Sequence, residues 1–185
     1  MRIRFCISLC LLALLVSYGC RGSAEVEMNV ARLAMDKARE LHADKLAPAD
    51  FEQAEKSWDK AQAAEKEGNT GAAKVLFTSA KINFGKAADI AKSRQDALSR
   101  ELSGMQLLIS DNFDQVKRDL SKRQLSPEKW GRVKAIVSAV EKDNASIREL
   151  VEQEDLPKAV ATAKDVQGKI YIAQLILAGK NPKSD

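Results

Sequence analysis

Hydrophobic positions recur at intervals of three and four residues from about Ala24 to the end of the chain, and no long stretch alternates with period two. This periodicity predicts amphipathic helices and no β-sheet. We expect an all-α fold of elongated helical hairpins or a bundle, with about five helices. The first face comprises Val26, Val30, Leu33, Ala34, Ala38 and Leu41, and the second Phe51, Ala54, Trp58, Ala61 and Ala64.

The third apolar row is unusually long. It begins near Thr70 and keeps its three-four spacing for about 50 residues. Its members are Ala73, Phe77, Ala80, Phe84, Ala87, Ala91, Leu98, Leu102, Met105, Ile109, Phe113, Val116 and Leu120. No proline lies between Pro48 and Pro127, so one continuous helix is compatible with the sequence. Gly85, Gly104 and residues 110–112 also allow a bend or two helices, and both alternatives stay open.

Residues suited to helix termini flank these rows. Pro48 and Pro127 fit first turns, Ser126 and Asp155 fit N-caps, and Gly68 fits a left-handed C-terminal cap. They predict a fourth helix with the face Trp130, Val133, Val137, Val140, Ile147 and Val151. A fifth carries Leu156, Ala159, Ala163, Val166, Ile170, Gln174 and Leu177, and Gly179 and Pro182 stop it.

Two parts of the chain echo each other. "APADF" and "SPEKW" both place proline three residues before a large aromatic, and "GNTGAA" and "EDLPKA" open the return helices with alanine at the same offset. The first arm of the second hairpin is longer than that of the first hairpin by seven residues. Seven residues make two helical turns, so the same face stays buried. A duplicated hairpin explains the echo, and so does chance likeness between two amphipathic hairpins.

The N-terminal segment has the layout of a secretion signal. "MRIR" is positively charged, and residues 5–16 form an apolar run of 12 residues. A transmembrane helix needs roughly 20, so the run is too short to span a bilayer comfortably. An ordinary cleaved signal or an uncleaved anchor are the alternatives to the interpretation that follows.

"SYGC" at the end of this run resembles the lipobox of bacterial lipoproteins, in which the peptidase cuts before a lipid-modified cysteine. Gly19, the signal-cleavage flank, and Cys20, the lipidation site, match its two most diagnostic positions, whereas Ser17 and Tyr18 depart from its usual residues. The resemblance implies a diacylglycerol on the Cys20 sulfur and an acylated amino group. Cys6 and Cys10 would leave with the signal, so the mature chain could form no disulfide.

Arg21, the second residue of the predicted mature chain, is not the aspartate of inner-membrane retention signals. The resemblance therefore implies the inner leaflet of an outer membrane, facing the periplasm. We expect residues 1–19 to be the signal, 20–25 the lipidated cysteine and tether, and 26–124 a helical hairpin with a long third helix. Residues 125–180 would form a second hairpin, followed by a tail at 181–185.

Residues 46–81, "LAPADFEQAEKSWDKAQAAEKEGNTGAAKVLFTSAK", resemble the Ala-rich helical-hairpin domain of unknown function that occurs in bacterial lipoproteins. The likeness covers residues 32–92. That domain occurs alone or ahead of OmpA-like domains, is distantly similar to tetratricopeptide hairpins, and carries no enzyme activity. This sequence shows no OmpA-like domain, so peptidoglycan binding does not follow from the resemblance.

Composition and chemistry favour a binding role over catalysis. Of the net charge of +4, two units come from Arg2 and Arg4, and no basic cluster predicts nucleic-acid binding. His42 is the only histidine, and no catalytic, metal, cofactor or small-molecule motif is recognisable around it. We therefore expect a protein that is not an enzyme and needs no cofactor.

Large aromatics are the candidate partner contacts. Phe51, Trp58 and Trp130 either pack in the core or anchor a partner, and the apolar stretch 169–180 either packs or docks. We expect a non-enzymatic cell-envelope lipoprotein that is membrane-anchored by lipid and acts as a periplasmic helical scaffold for an envelope protein partner. The alternative is a self-associating coiled-coil spacer, which the long three-four row would support.

Overall fold

The computed structural model describes residues 23–180, and within that range the chain forms six helices and no strand. The helices are α1 (Glu25–Glu40), α2 (Ala43–Leu46), α3 (Pro48–Lys66), α4 (Thr70–Lys122), α5 (Pro127–Glu152) and α6 (Leu156–Leu177). The all-α prediction is confirmed. The sixth helix is the four-residue α2, which is too short to show an apolar period in the sequence.

The predicted helix ends occur where expected. Ser126 Oγ accepts a hydrogen bond from the Lys129 backbone N–H at 3.4 Å, which satisfies one of the free donors in the first turn of α5. Pro48 and Pro127 occupy the first turns of α3 and α5. Gly68 has a φ of +74°, the left-handed conformation that glycine adopts without steric cost.

α4 is one uninterrupted helix of 53 residues, so the glycines and residues 110–112 introduce no break. Its predicted apolar row is buried from Ala73 to Ala91 and again from Leu102 to Val116. Burial along nearly the whole row offsets the helix-breaking tendency of Gly85 and Gly104, since packing contributes more than local propensity.

The chain divides into two compact units, and the division falls inside α4, between Ser93 and Arg94. In the described residues, the first unit holds α1, α2, α3 and the first part of α4, and the second holds the rest of α4 with α5 and α6. The sequence placed a boundary at 124/125, where a helix ends. A pattern read along the chain cannot show where one continuous helix changes its packing partners.

Alanine and phenylalanine build the core of the first unit. Phe77 and Phe84 on α4 are fully buried, and Phe51 on α3 is nearly so. Many of the other buried residues of this unit are alanines, including Ala54 and Ala61 on α3. Small side chains let the helix axes approach closely, while the phenyl rings fill the remaining space.

The predicted face of α1 is wrong for its largest members. Val26 and Leu33 are 71% and 68% exposed, and Val30 is 37% exposed. Ala31 and Ala38 are the residues of α1 that are buried. Ala38 belongs to the predicted face and is buried, whereas Ala31 lies outside that prediction, so α1 packs through small side chains.

The second unit has a core of larger aliphatic side chains, which α4, α5 and α6 supply together. Its buried members are Leu102, Met105, Ile109, Phe113, Val116, Val133, Val140, Ile147, Ala159, Val160, Ala163, Val166, Ile170, Ala173, Ile176 and Leu177. Trp130 and Val151, predicted for the same face of α5, are instead 44% and 40% exposed. Both lie at the ends of α5, where the neighbouring helices give less cover.

A compact turn joins α3 to α4 in the first unit. The backbone N–H of Gly68 donates to Glu65 O at 2.9 Å, and that of Asn69 donates to Ala64 O at 2.8 Å. The Asn69 side chain then accepts from the Ala72 N–H at 3.2 Å and caps α4. One left-handed residue and one asparagine therefore end one helix and start the next.

The turn between α5 and α6 repeats this arrangement 86 residues later, from Gly68 to Glu154 and from Asn69 to Asp155. Glu154 has a φ of +56°, and its N–H donates to Val151 O at 3.0 Å. The Asp155 N–H donates to Leu150 O at 2.9 Å, and its side chain accepts from the Lys158 N–H at 3.4 Å.

A polar contact across each hairpin repeats with the same spacing. In the first unit, Asn83 Nδ2 donates to Ser57 Oγ at 3.1 Å. In the second unit, Lys169 Nζ forms an ion pair with Asp143 Oδ2, and both positions again lie 86 residues on. The shared turn and the shared contact favour a duplicated hairpin as the origin of the sequence echo.

Candidate functional site

The predicted lipidation site lies outside the described residues. Gly19 and Cys20 precede Ser23, where the described chain begins, and α1 starts at Glu25. Only residues 21–24 lie between Cys20 and the first residue of α1.

Two of the three candidate aromatics pack across the α3–α4 hairpin. The rings of Phe51 and Phe84 meet edge to face with centroids 5.5 Å apart, and those of Trp58 and Phe77 do so at 5.2 Å. Phe51 is buried and Trp58 is half-buried. Their main contacts are therefore internal to the first unit.

Trp130 is the candidate aromatic that faces solvent. Its side chain is 44% exposed in the first turn of α5. The Lys134 ammonium lies 4.8 Å from the ring centroid, one helical turn further on, and holds one face of the ring by a cation–π contact. Of the three predicted partner contacts, Trp130 offers the largest exposed ring.

The apolar stretch 169–180 packs one of its faces into the second unit. Ile170, Ile176 and Leu177 are buried, whereas Tyr171 is 61% exposed. Arg123 Nη1 donates a hydrogen bond of 2.7 Å to the Leu177 carbonyl, one of the carbonyls left free at the end of α6. The buried face of this segment therefore belongs to the core of the second unit.

An open groove of about 310 Å³ runs between α4 and α5 in the second unit. Its floor is Ile109, Phe113 and Ile147, and its rim includes Asp114 and Lys117. Lys117 Nζ lies 2.9 Å from Asp114 Oδ1 and 4.6 Å from the Phe113 ring centroid. The hydrogen bond and charge of Lys117 lower the pKa of the Asp114 carboxyl.

A second groove, of about 390 Å³, lies between α5 and α6. Asp143, Glu149 and Asp165 line it, together with the single ammonium of Lys169. Sequence reasoning did not identify either groove, because each is assembled from two helices. The only sequence signal was the spacing of the i,i+3 pair Asp114–Lys117 within the first groove.

A smaller groove of about 180 Å³ separates α4 from α6. Leu108 and Tyr171 stand exposed at its edges, over a floor that includes Ile109 and Ile170. The three grooves thus follow the three helix pairs of the second unit; the first and third have apolar floors, whereas the second is lined mainly by polar side chains.

Metal-binding side chains do not converge anywhere in residues 23–180: no group of three or more His, Cys, Asp or Glu is placed to hold an ion. His42 is half-buried and adopts a left-handed conformation, with a φ of +51°, at the start of α2. No helix in the described part of the chain is long and apolar enough to cross a membrane.

Searches of the curated proteins and of the solved structures gave no significant match. Comparison with protein-family models gave a match that covers less than half of the chain. The matched range contains all of residues 32–92, where the sequence resembles a helical-hairpin domain. Residues 26–102 match the model of the family described as Domain of unknown function (DUF4398).

Proposed function

We propose that this protein is a lipid-anchored protein of the bacterial cell envelope, without enzyme activity, whose helical units present binding surfaces to an envelope partner in the periplasm. The lipid holds the N-terminus at the inner leaflet of the outer membrane. The observation that carries the proposal is the pair Gly19–Cys20 directly after the apolar run 5–16. The domain match at 26–102 supports it as the kind of helical domain that the lipoprotein resemblance implies.

Metabolic labelling with palmitate tests the anchor. We expect the wild-type protein to incorporate the label and Cys20→Ala to lose it, because the Cys20 sulfur carries the lipid in this proposal. Cys10→Ala is the matched control, since Cys10 lies inside the apolar run and should leave with the signal. Equal labelling of the wild type and Cys20→Ala would refute the anchor.

Trp130 is the residue that we propose for partner contact. Tryptophan is enriched among residues that dominate binding energy, and this ring is 44% exposed. A photo-crosslinking amino acid at Trp130 should capture a defined envelope protein in cells. The same probe at Glu141, an exposed residue of α5, is the control, and equal capture at both positions would argue against Trp130.

A self-associating spacer is the alternative function, and the unbroken 53-residue α4 is the observation that favours it. Against it, the apolar row that would form a coiled coil between copies is already buried within the two units. Light scattering after size exclusion of the chain from Gly22 onward separates the two functions. We expect a monomer, and a stable dimer or larger assembly would favour the spacer.

A further inference from the structure

The outer face of α1 carries a stripe of large aliphatic side chains that the first unit does not cover. We call Val26, Val30 and Leu33 the α1 stripe; they are 71%, 37% and 68% exposed. At 100° per residue, the three lie within an arc of about 60°. The buried Ala31 and Ala38 lie roughly 100–160° from Val26 around the helix.

The arrangement of large and small apolar side chains on α1 is opposite to the one that burial of apolar area alone would favour. Burying valine or leucine contributes more than burying alanine, because more apolar area leaves water. Here the alanines face inward and the larger side chains face outward. Exposed aliphatic residues that cluster in this way mark a surface that meets something apolar.

The covalent distance to Cys20 identifies the occupant. Five residues lie between Cys20 and Val26, and the six steps from one α-carbon to the next span at most about 21 Å when fully extended. The first residue of the stripe is thus always within a short tether of any lipid on Cys20. We infer that the α1 stripe lies against the membrane surface, with its side chains among the lipid headgroups and upper acyl chains, an inference that rests on the proposed lipid anchor.

The charges around the stripe fit this orientation. Lys37 continues the stripe by one turn, and its long stem allows the ammonium to reach lipid phosphates while the stem stays in the apolar boundary. Glu25 and Asp36 lie about 90–110° away from the centre of the stripe, where their carboxylates stay in water. Glu40 lies about 50° away, at the end of α1 furthest from Cys20.

The test uses the full lipidated chain reconstituted into vesicles of phosphatidylethanolamine and phosphatidylglycerol. The Cys20 sulfur is blocked by its lipid, so a single introduced cysteine can carry a polarity-sensitive fluorophore. Val30→Cys and Leu33→Cys report on the stripe. Arg32→Cys is the matched control, because it is exposed at the same height, about 160° around the helix from Val30.

We expect the probes at Val30 and Leu33 to shift to the blue, to lose most of their quenching by aqueous iodide, and to be quenched by nitroxide lipids. The probe at Arg32 should stay accessible to iodide. Circular dichroism checks that each variant retains its helix content, and agreement between the two stripe positions guards against a local effect of one substitution.

Two outcomes overturn the inference alone. With lipid on Cys20 confirmed by mass spectrometry, equal iodide access at Val30 and Arg32 would show that α1 does not lie on the membrane. Protection of the Val30 and Leu33 probes from iodide that disappears as the protein is diluted with lipid would show that a second copy of the chain covers the α1 stripe, because dilution separates the copies. Absence of lipid on Cys20 would overturn the proposed anchor, and this orientation with it.

Discussion

Lys169 forms its ion pair with Asp143 at the position in the second hairpin where Asn83 contacts Ser57 in the first. Both hairpins therefore carry a polar link between their two arms, neutral in the first hairpin and charged in the second. Part of each side chain of the ion pair reaches solvent, so the link is sensitive to salt, whereas the neutral link should not be.

We expect Asp143→Asn to lower the free energy of unfolding by about 1 kcal/mol, because partly exposed ion pairs contribute little more than that. A double-mutant cycle with Lys169→Met should give a coupling that shrinks in 1 M salt, measured by chemical denaturation. The cycle Ser57→Ala with Asn83→Ala is the neutral control. A coupling of the charged pair that is unchanged by salt would contradict this interpretation.

Gly68→Ala should destabilise the protein by about 1 kcal/mol, the usual cost of a left-handed conformation for an L-residue. No heavy atom lies within 4 Å of a β-carbon at this position, so the cost is conformational and not steric.

Gly85→Ala is the matched control for that substitution. It also has free space around a β-carbon, but lies inside α4 without a positive φ. We expect it to stabilise by about 0.5–1 kcal/mol, because alanine favours the helix. Denaturation curves of the two variants should move in opposite directions, and a shift in the same direction would show that the backbone argument is wrong.

Phe84→Ala should cost about 3–5 kcal/mol, because the ring is fully buried against Phe51 and its removal leaves a cavity. Trp130→Ala removes a larger ring, yet we expect a loss of about 1 kcal/mol or less, since that ring is largely at the surface. Thermal and chemical denaturation give both values. A larger cost at Trp130 than at Phe84 would mean that Trp130 is structural and not available to a partner.

The stability should depend on pH through Asp114. Lys117 lowers the pKa of this carboxyl in the folded chain, so the charged form stabilises the fold above the ordinary carboxyl pKa. That contribution is lost as the pH falls through the folded-state pKa, below about pH 4.

Asp114→Asn should accordingly melt at a lower temperature than the wild type near neutral pH and at the same temperature in acid. An NMR titration of the Asp114 carboxyl checks the direction of the pKa shift, and Lys117→Met should return that pKa toward its ordinary value. A melting difference that persists unchanged in acid would assign the effect to something other than the charge.

Much of this fold could be predicted from local rules. Helix ends at Ser126, Asp155 and Gly68 follow from the capping chemistry of single residues and their neighbours. The buried positions of α4, from Ala73 to Ala91 and from Leu102 to Val116, follow from their three-four period. The likeness of residues 32–92 to a domain of unknown function agrees with the domain found at 26–102.

The candidate surfaces depended on the tertiary structure. From the sequence, Phe51, Trp58 and Trp130 are equally good candidates for partner contact. Packing distinguishes them, because the first ring is buried, the second is half-buried and the third is exposed. The groove over Phe113 and Ile147 is formed by side chains from two different helices, which a pattern read along one helix could not bring together.

Most helix ends of this chain can be predicted from its residues, because capping and periodicity act over three or four residues. Tertiary packing selects the arc of α1 that faces inward, keeps α4 unbroken through both units, and leaves Trp130 exposed. The backbone hydrogen bonds of a helix are the same whichever of its apolar arcs faces inward, so they cannot select one arc over the other. The choice is made by the close approach that Ala31 and Ala38 permit, and it leaves Val26, Val30 and Leu33 outside.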